Sequence, residues 1–288
     1  MKKLSIFLAG GSGFIGKNLL ESIADKYTVI APNRNQLNLL DFYAVSHYLK
    51  KHGPFDVVLN TAVIGGRRNS QNSPYFALQN LALFFNFVSN QKYFKKYIHF
   101  GSGAEFDKSK DIKHIKEEDF NKSMPSDPFG FSKHVIATYI EANKKFLNLR
   151  LFGVYGKHEN YNIGFVSNTI CRAILNKPII INKNVFYDYI YASELASVVS
   201  YFIENRSKYR SYNVGSGKPI DLLGLTAIIK SLSKSESTVN ILEDGLTPEY
   251  SCNVDRLKRE MKYHPKSHGL SLKELYEWYK KRENQIDI

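Results

Sequence analysis

A glycine-rich loop near the start of the chain constrains its fold more than any other feature. Gly10, Gly13 and Gly16 lie between an apolar run at 4–9 and a segment of helical periodicity at 14–24. Glycines let the backbone turn sharply and approach a pyrophosphate, which then lies at the N-terminus of the following helix. In this strand–loop–helix position the pattern predicts a dinucleotide-binding site. A tight turn without a ligand is the alternative.

Strands and helices alternate along the first half of the chain. Strands are predicted at 4–9, 27–32, 57–60, 97–100 and 149–152, and helices at 14–24, 39–52, 74–90 and 132–146. Strands separated by helices of this length require parallel crossovers, and uninterrupted apolar strands are typical of sheets covered on both faces. The predicted fold class is therefore α/β, with a doubly wound parallel Rossmann sheet and a smaller C-terminal α/β lobe.

The second half of the chain is less regular. Helices are predicted at 165–175, 193–204, 226–233 and 270–281, and strands at 179–181 and 212–215. We expect residues 1–160 to form the dinucleotide-binding domain, with 185–210 returning to it. We expect residues 161–184 and 211–288 to form a substrate-binding lobe. The polar segment 107–127 is predicted to be the one long loop, and long loops are often lids or binding loops.

Charge and composition narrow the class of partner. The net charge of +13 either suits an anionic ligand or reflects a general compositional bias, since Lys, Asn and Ile are abundant everywhere. The basic residues are spread along the chain, and no block of them predicts a nucleic-acid groove. No apolar run approaches the roughly 18 residues of a membrane span. Cys171 and Cys252 have neither metal-ligand nor disulfide-framework spacing. We expect a cytoplasmic protein with no metal, nucleic-acid or membrane partner.

The segment after the second predicted strand bears on the choice of cofactor. A carboxylate there would bind the ribose 2′-hydroxyl and favour NAD, but residues 33–36 contain no acid. Arg34 could instead contact a 2′-phosphate through its planar guanidinium. NADP(H) is therefore favoured over NAD(H). The alternative is that Arg34 is a solvated loop residue.

Further motifs follow predicted strands or lie in predicted helices. They are Asn60-Thr61-Ala62, Asn80, Phe100-Gly101-Ser102-Gly103-Ala104 and Lys133. With the glycine loop, they resemble the extended short-chain dehydrogenases, the nucleotide-sugar epimerase/dehydratase group, over nearly the whole chain. Segments 34–41 and 63–66 are most similar to the 4-ketoreductases of the GDP-L-fucose synthase type.

The resemblance implies roles for the matching positions. Ser102 would bind the reacting sugar oxygen, and Lys133 would hold the nicotinamide ribose. The implied catalytic positions are Ser102, Phe129 and Lys133. The implied cofactor contacts are Gly10, Ser12, Gly13, Phe14, Ile15, Gly16, Asn33, Arg34, Leu40, Asp41, Thr61, Ala62, Val63, Asn80, Lys133, Phe152 and Val154. The expected substrate contacts are Ser102, Gly103, Ala104, Phe129, Gly153 and Tyr187, together with Arg172 and Arg256, which are candidates by their charge and not by a family match.

Phe129 departs from the family at its most important position. It lies four residues before Lys133, where relatives carry a catalytic tyrosine. A phenyl ring donates no proton, and losing a positioned general acid typically costs roughly 10²–10⁴-fold in rate. Three explanations stay open. Another group or water supplies the proton, this chain is a tyrosine-to-phenylalanine variant, or the protein binds nucleotide without turnover.

Other departures concern proton transfer and the diphosphate. Relatives that perform 3,5-epimerisation use a cysteine and a histidine where this chain has Ala104 and, by position, Gly164. The 4,6-dehydratases need an Asp-Glu pair directly after the serine; Glu105 comes one place late and is expected to point the other way. Tyr187 replaces the arginine that usually clamps the diphosphate. Arg172, Lys183 and Arg256 are unranked candidates for that contact.

Elimination selects a function. Residues for dehydration and double epimerisation are absent, whereas Ser102 and Lys133 remain. Hydride transfer at a sugar carbon also needs a proton delivered to the attached oxygen. The resemblance thus implies an NADP(H)-dependent reductase of a nucleoside-diphosphate 4-keto(-6-deoxy)hexose, serving surface polysaccharide biosynthesis and acting as a homodimer. The alternatives are a 4-epimerase with tightly bound NAD and a non-catalytic NAD(P)-binding sensor.

Overall fold

The computed structural model describes residues 3–66 and 73–288. The strands are β1 (Ser5–Ala9), β2 (Thr28–Ile30), β3 (Phe55–Asn60), β4 (Phe94–Ser102), β5 (Ile112–Ile115), β6 (Phe146–Leu151), β7 (Gly153–Tyr155), β8 (Ile179–Asn184), β9 (Phe186–Tyr187), β10 (Tyr189–Tyr191), β11 (Ser211–Val214), β12 (Ile220–Asp221), β13 (Val239–Leu246) and β14 (Tyr250–Cys252). The α-helices are α1 (Phe14–Ile23), α2 (Phe42–His52), α3 (Pro74–Ser89), α4 (Pro128–Glu141), α5 (Phe165–Ile174), α6 (Ala192–Glu204), α7 (Leu222–Ser233), α8 (Asp255–Met261) and α9 (His268–Lys280).

A parallel sheet forms the centre of the molecule. Across the described residues, its strand order is β11-β6-β4-β3-β1-β2, and every neighbouring pair is parallel. The predicted α/β class with a doubly wound sheet is confirmed. The order of the strands reverses between β1 and β3, and ligands of such sheets bind at this switch point, outside the carboxyl ends of the strands.

Apolar side chains cover both faces of the sheet. Leu19 of α1 and Phe202 of α6 pack on one face, and Phe84 of α3 and Ile140 of α4 pack on the other. Burial on both faces explains why the strand sequences are apolar without alternation. The two helical layers hold the sheet rigid beneath the site at its carboxyl edge.

A second apolar core lies in the C-terminal half. It joins Ile170 of α5, Ile179 of β8, Leu225 of α7 and Leu275 of α9. Three small sheets accompany it in the described part of the chain: one of β13 and β8, one with the order β12-β9-β14-β5, and one of β10 and β7. The second of these sheets carries β14 to the edge of the central sheet.

The structure differs from the sequence predictions in two places. Segment 107–127 is not a single long loop, because β5 lies within it and pairs with β14. Strand β11, which was predicted to belong to the smaller lobe, pairs with β6 as an edge strand of the central sheet. Both differences arise from strand pairing between segments far apart in the chain, which local periodicity does not record. The other proposed lobe boundaries stay predictions.

Helix boundaries follow capping residues. The helix predicted at 132–146 is α4, which begins at Pro128 after the Asp127 side chain caps it. The helix predicted at 39–52 is α2, which is capped by Asp41. Proline at the first position and aspartate before it are typical helix starts. Of the helices in 3–66 and 73–288, none is long and apolar enough to span a membrane.

Candidate active site

The glycine loop connects β1 to α1 at the switch point of the sheet. Gly10 has a positive φ of 80°, which glycine adopts at no steric cost. A Cβ at Gly16 would lie 2.1 Å from the Gly10 carbonyl oxygen. Gly13, the residue before α1, makes no side-chain cap. Loop and helix therefore approach each other as closely as a pyrophosphate cradle requires, with amide groups left for the anion.

A turn after β2 presents Arg34. The Asn33 side-chain oxygen accepts hydrogen bonds from the amides of Asn35 at 3.0 Å and Gln36 at 3.1 Å. The Gln36 side chain in turn accepts one from the Asn33 amide at 2.9 Å. These bonds fix the turn, and Arg34 is exposed at its tip. Its guanidinium is therefore accessible to a ligand.

Two predicted cofactor residues make structural bonds of their own. The Asp41 carboxylate accepts a hydrogen bond from the Ala44 amide at 3.0 Å as the cap of α2. The Asn80 side chain accepts from the Ile64 amide at 3.0 Å and donates to the Ile64 carbonyl at 2.8 Å. Asn80 thus holds the segment after β3 in place rather than lining the cleft.

The end of β3 is tied to its neighbours by side chains. Thr61 donates from its hydroxyl to the Ala9 carbonyl at 2.8 Å, which joins β3 to the start of the glycine loop. Asn60 donates to the Tyr97 hydroxyl at 2.7 Å and accepts from the Ala62 amide at 3.1 Å. The floor of the cleft is therefore fixed by hydrogen bonds.

An open cleft of about 500 Å³ lies along this edge of the central sheet. Many predicted site residues line it, namely Phe14, Ile15, Thr61, Val63, Ser102, Ala104, Phe129, Lys133, Phe152, Gly153, Val154 and Tyr187. Gly164 also lines it. The cleft therefore combines the predicted catalytic positions with a path from the glycine loop to the smaller lobe.

Ser102 is held by a buried carboxylate. Its hydroxyl accepts a hydrogen bond from the Ala104 amide at 3.1 Å, and its amide donates to Glu105 Oε1 at 3.1 Å. Glu105 is fully buried. Its carboxylate turns away from the cleft toward Asn148, which donates to it at 2.9 Å, and Arg150, which forms an ion pair with it. Sequence reasoning missed this support, because Glu105 lies in the turn after β4 whereas Asn148 and Arg150 lie on β6, more than 40 positions further along the chain.

Lys133 extends from α4 into the same cleft. Its ammonium donates to the Phe100 carbonyl at 2.8 Å and lies 3.3 Å from His99 Nε2. Burial lowers the pKa of Lys133 to about 8. Burial, and then the charge of Lys133, hold the pKa of His99 well below its usual range. The His99 imidazole is therefore neutral, and Lys133 carries the positive charge of this pair.

The ring of Phe129 occupies the place beside Lys133. Its centroid is 5.9 Å from the Lys133 ammonium and 6.0 Å from that of Lys108. Gly66 faces the ring so closely that a Cβ there would lie 2.5 Å from a ring carbon. Sequence analysis did not single out Lys108, which lines the cleft and pairs with Asp127 at 3.8 Å. Phe129 brings a ring to the cleft but no proton.

Tyr250 is the cleft residue that sequence reasoning missed most completely. Strand β14 brings its hydroxyl to 3.5 Å from Ser102 Oγ, and the side chain lines the cleft. No motif surrounds Tyr250, and 148 positions separate it from Ser102. The pairing of β14 with β5 and β9 brings it to the cleft.

Two predicted substrate residues lie away from the lining of the cleft. Arg172 donates to the Asn168 side chain at 2.9 Å and to the Pro178 carbonyl at 2.8 Å. Arg256 donates to the Ser211 carbonyl at 3.0 Å and to Glu118 at 2.6 Å. Their guanidinium groups are engaged by their own surroundings, which is why they do not reach the site.

This geometry defines the class of protein: it has a dinucleotide-binding fold with a serine and a lysine at the carboxyl edge of a doubly wound sheet. The chain belongs to the NAD dependent epimerase/dehydratase family, whose model matches residues 6–215. A curated relative, GDP-L-colitose synthase of Yersinia pseudotuberculosis, is 24% identical over 238 residues, covering 75% of this chain and 77% of the relative.

Solved structures share the fold across nearly the entire chain. GDP-mannoheptose C4 reductase from Campylobacter jejuni with NADP bound has a TM-score of 0.84 and 20% identity, covering 97% of this chain and 99% of its own. UDP-glucose 4-epimerase from Thermotoga maritima with UDP-glucose has a TM-score of 0.85 and 20% identity, with the same coverage. Reductases and epimerases of nucleotide sugars thus share this architecture.

Proposed function

We propose that the protein is an NADP(H)-dependent reductase of the 4-keto group of a nucleoside-diphosphate 4-keto(-6-deoxy)hexose, in the making of a surface polysaccharide sugar. The observation that carries the proposal is the composition of one cleft. Ser102 and Lys133 line it together, whereas Ala104 and Gly164 stand where epimerising relatives carry proton-exchanging groups. The cleft therefore retains groups suited to carbonyl reduction without those for exchange at neighbouring carbons.

The chain's own residues fit a nicotinamide dinucleotide. The close packing of Gly16 on Gly10 leaves space for a pyrophosphate and none for a side chain. Exposed Arg34, in a turn without an acid, suits a 2′-phosphate and favours NADP(H) over NAD(H). The reductase from Campylobacter jejuni carries NADP, which agrees with this choice.

Each cleft residue has a role in the proposed reaction. Ser102 orients the sugar carbonyl by a hydrogen bond, and Glu105 keeps the backbone of Ser102 fixed. The Lys133 ammonium would turn toward the nicotinamide ribose. When bound, the reduced cofactor supplies a hydride to the carbonyl carbon, while the protein must supply a proton to the oxygen.

The smaller lobe would bind the nucleotide and sugar. Tyr187, Tyr189 and Phe152 line the cleft on that side, and aromatic faces suit a base or a sugar ring. The curated relative from Yersinia pseudotuberculosis is named for a GDP-sugar, and the Thermotoga structure holds UDP-glucose. We further propose a cytoplasmic homodimer joined through α3, on which Leu78 and Phe85 are exposed, and α4, on which Phe131 is exposed.

Two other functions remain candidates for the same cleft. A 4-epimerase would oxidise and re-reduce one carbon with tightly held NAD, and the Thermotoga epimerase shares the whole fold. A non-catalytic NAD(P)-binding sensor would explain Phe129. Cofactor retained through purification favours the epimerase, and binding without turnover favours the sensor.

The test of the proposed function is NADPH consumption with a panel of nucleoside-diphosphate 4-keto sugars. We expect NADPH oxidation to be matched by formation of the 4-hydroxy sugar. If the corresponding 4-hydroxy nucleotide sugars are instead converted into their C4 epimers without net NADPH loss, the reductase is replaced by an epimerase. Binding of NADPH with no product from any panel member, by this chain or by its Phe129→Tyr variant, would leave only the sensor.

A further inference from the structure

We propose that Tyr250 donates the proton to the sugar oxygen, in place of the missing phenol at Phe129, and forms with Ser102 the hydrogen-bonding pair that holds this oxygen. This inference rests on the proposed reduction. It differs from the expected arrangement of the family because the donor comes from the smaller lobe rather than from α4. The geometry of three residues carries the argument.

The two hydroxyls converge on one position in the cleft. Tyr250 Oη and Ser102 Oγ are 3.5 Å apart, and both side chains line the cleft. This separation is long for a hydrogen bond between two hydroxyls. At this separation the Tyr250 and Ser102 hydroxyls can each donate a hydrogen bond to the same carbonyl oxygen, if it lies against both of them. A ketone held there would receive two hydrogen bonds, as it would from the serine and tyrosine of relatives.

Gly103 makes room for the hydroxyl of Tyr250. A Cβ at residue 103 would lie 2.5 Å from Tyr250 Oη and 2.7 Å from a ring carbon of Phe152. Any larger residue next to Ser102 would push the phenol away. Gly103 is therefore required for a steric reason, because only a residue without a side chain leaves space for the Tyr250 hydroxyl.

The phenol ring is held on several sides. Its centroid is 5.1 Å from that of Phe152 and 5.6 Å from that of Tyr187. The Tyr250 carbonyl accepts a hydrogen bond from the Asp188 amide at 3.0 Å. Cys252 lies two residues further on and donates its thiol hydrogen to Asp188 at 3.4 Å. These contacts fix the hydroxyl at the cleft, as a general acid requires.

The protonation state of Tyr250 suits a donor. Burial raises the pKa of this phenol above its usual range, so the hydroxyl keeps its proton at neutral pH. When hydride reaches the carbonyl carbon, the π electrons of the carbonyl move to its oxygen. That oxygen takes the Tyr250 proton, because an alkoxide is more basic than a phenolate. Water entering the open cleft then returns a proton to the phenolate.

The variant Tyr250→Phe tests the donor role. We expect its turnover with NADPH and a 4-keto nucleotide sugar to fall by roughly 10²–10⁴-fold. Tyr155→Phe is the matched control, because it also removes a buried tyrosine hydroxyl that bonds a serine, Ser271, at 2.6 Å outside the cleft. Adding Phe129→Tyr to Tyr250→Phe should restore much of the activity, since a phenol returns beside Lys133.

A binding measurement without cofactor provides an independent readout. Calorimetry of cofactor-free protein with the 4-keto nucleotide sugar should show affinity about 3- to 10-fold lower for Tyr250→Phe, the effect of one neutral hydrogen bond. The affinity for the nucleoside diphosphate alone should not change. If Tyr250→Phe loses affinity for the 4-keto nucleotide sugar but not for the nucleoside diphosphate, the missing hydrogen bond was to the sugar oxygen. If it loses affinity equally for both ligands, Tyr250 does not bind that oxygen.

The outcomes separate the donor from the reaction. If the unaltered chain reduces the ketone and Tyr250→Phe reduces it equally well, the donor proposal is wrong and water supplies the proton, while the proposed function stands. If the unaltered chain reduces no ketone of the panel, the proposed function fails, and the donor role fails with it. Loss in Tyr250→Phe without restoration by Phe129→Tyr would also overturn the donor role.

Discussion

The Glu105 carboxylate accepts a hydrogen bond from the Ser102 amide at 3.1 Å and connects this cleft residue to the buried Arg150. A Cβ at Gly101 would lie 2.1 Å from the same carboxylate, so the glycine lets Glu105 reach the strand. Arg150 lies over the Phe120 ring at 4.4 Å. The cleft thus rests on a buried ion pair that connects the turn after β4 to β6.

Breaking this ion pair on one side is expected to destabilise the protein strongly. Glu105→Gln should lower the free energy of unfolding by about 3 kcal/mol, because it leaves the buried Arg150 guanidinium with only the more exposed Glu141, at 3.4 Å, as a counter-charge. The control is Glu274→Gln, which removes one partner of the exposed pair with Lys266 and should cost less than about 1 kcal/mol. Urea unfolding measures both, and similar losses would contradict the prediction.

The double variant Glu105→Gln/Arg150→Met extends this prediction. The double variant should lose less stability than the sum of the losses of the two single variants, because it leaves neither the Glu105 nor the Arg150 charge buried without the other. Residues in one ion-pair network typically deviate from additivity by about 0.5–3 kcal/mol. Additive losses would mean that Glu105 and Arg150 stabilise the fold independently.

A methyl group at Gly16 is expected to destroy the pyrophosphate cradle. In Gly16→Ala the new Cβ would meet the Gly10 carbonyl at 2.1 Å, so the loop and α1 must separate. We expect calorimetry to show at least a tenfold loss of NADPH affinity, because a loss of only about 1.4 kcal/mol in binding free energy already lowers the affinity tenfold. Gly269→Ala is the control, because nothing lies within 4 Å of its Cβ. Unchanged affinity in Gly16→Ala would argue against the cradle.

Arg34 is expected to distinguish the two cofactors. Arg34→Ala should lower the affinity for NADPH by roughly 10- to 100-fold, the value of a hydrogen bond to a charged group, and leave that for NADH nearly unchanged. The exposed Arg259 provides the control, because Arg259→Ala removes the same charge on α8, which contacts β11 at the edge of the central sheet opposite to β2. Equal losses of affinity for NADPH and NADH would show that Arg34 does not bind the 2′-phosphate.

Burial of Lys133 predicts how stability varies with pH. Its pKa falls from 10.5 in the unfolded chain to about 8 in the fold. Between these values the unfolded state binds more protons, so this group makes stability rise with pH. From pH 7 to 9.5, the free energy of unfolding of the unaltered chain should gain about 2 kcal/mol relative to Lys133→Met. Parallel pH profiles of the two proteins would refute the depressed pKa.

Much of the fold follows from local sequence. The glycine loop, the apolar strands and the helical periodicity gave the α/β class and the parallel sheet, because each depends on residues close together in the chain. Helix starts at Pro128 and Phe42 differ from the predicted ones because aspartate caps decide them. Ser102 and Lys133 were found through motifs, and the structure brings both to the cleft.

The rest depended on contacts between distant residues. Strand pairing placed β11 in the central sheet and β14 beside Ser102. Arg172 and Arg256 were plausible ligands by charge alone, but their neighbours engage them elsewhere. The sequence by itself determined the class of fold and a serine and a lysine of the candidate site, because short motifs and periodicity encode them. Tertiary structure alone decided the support under Ser102 and the position of Tyr250, because long-range strand pairing sets which side chains meet.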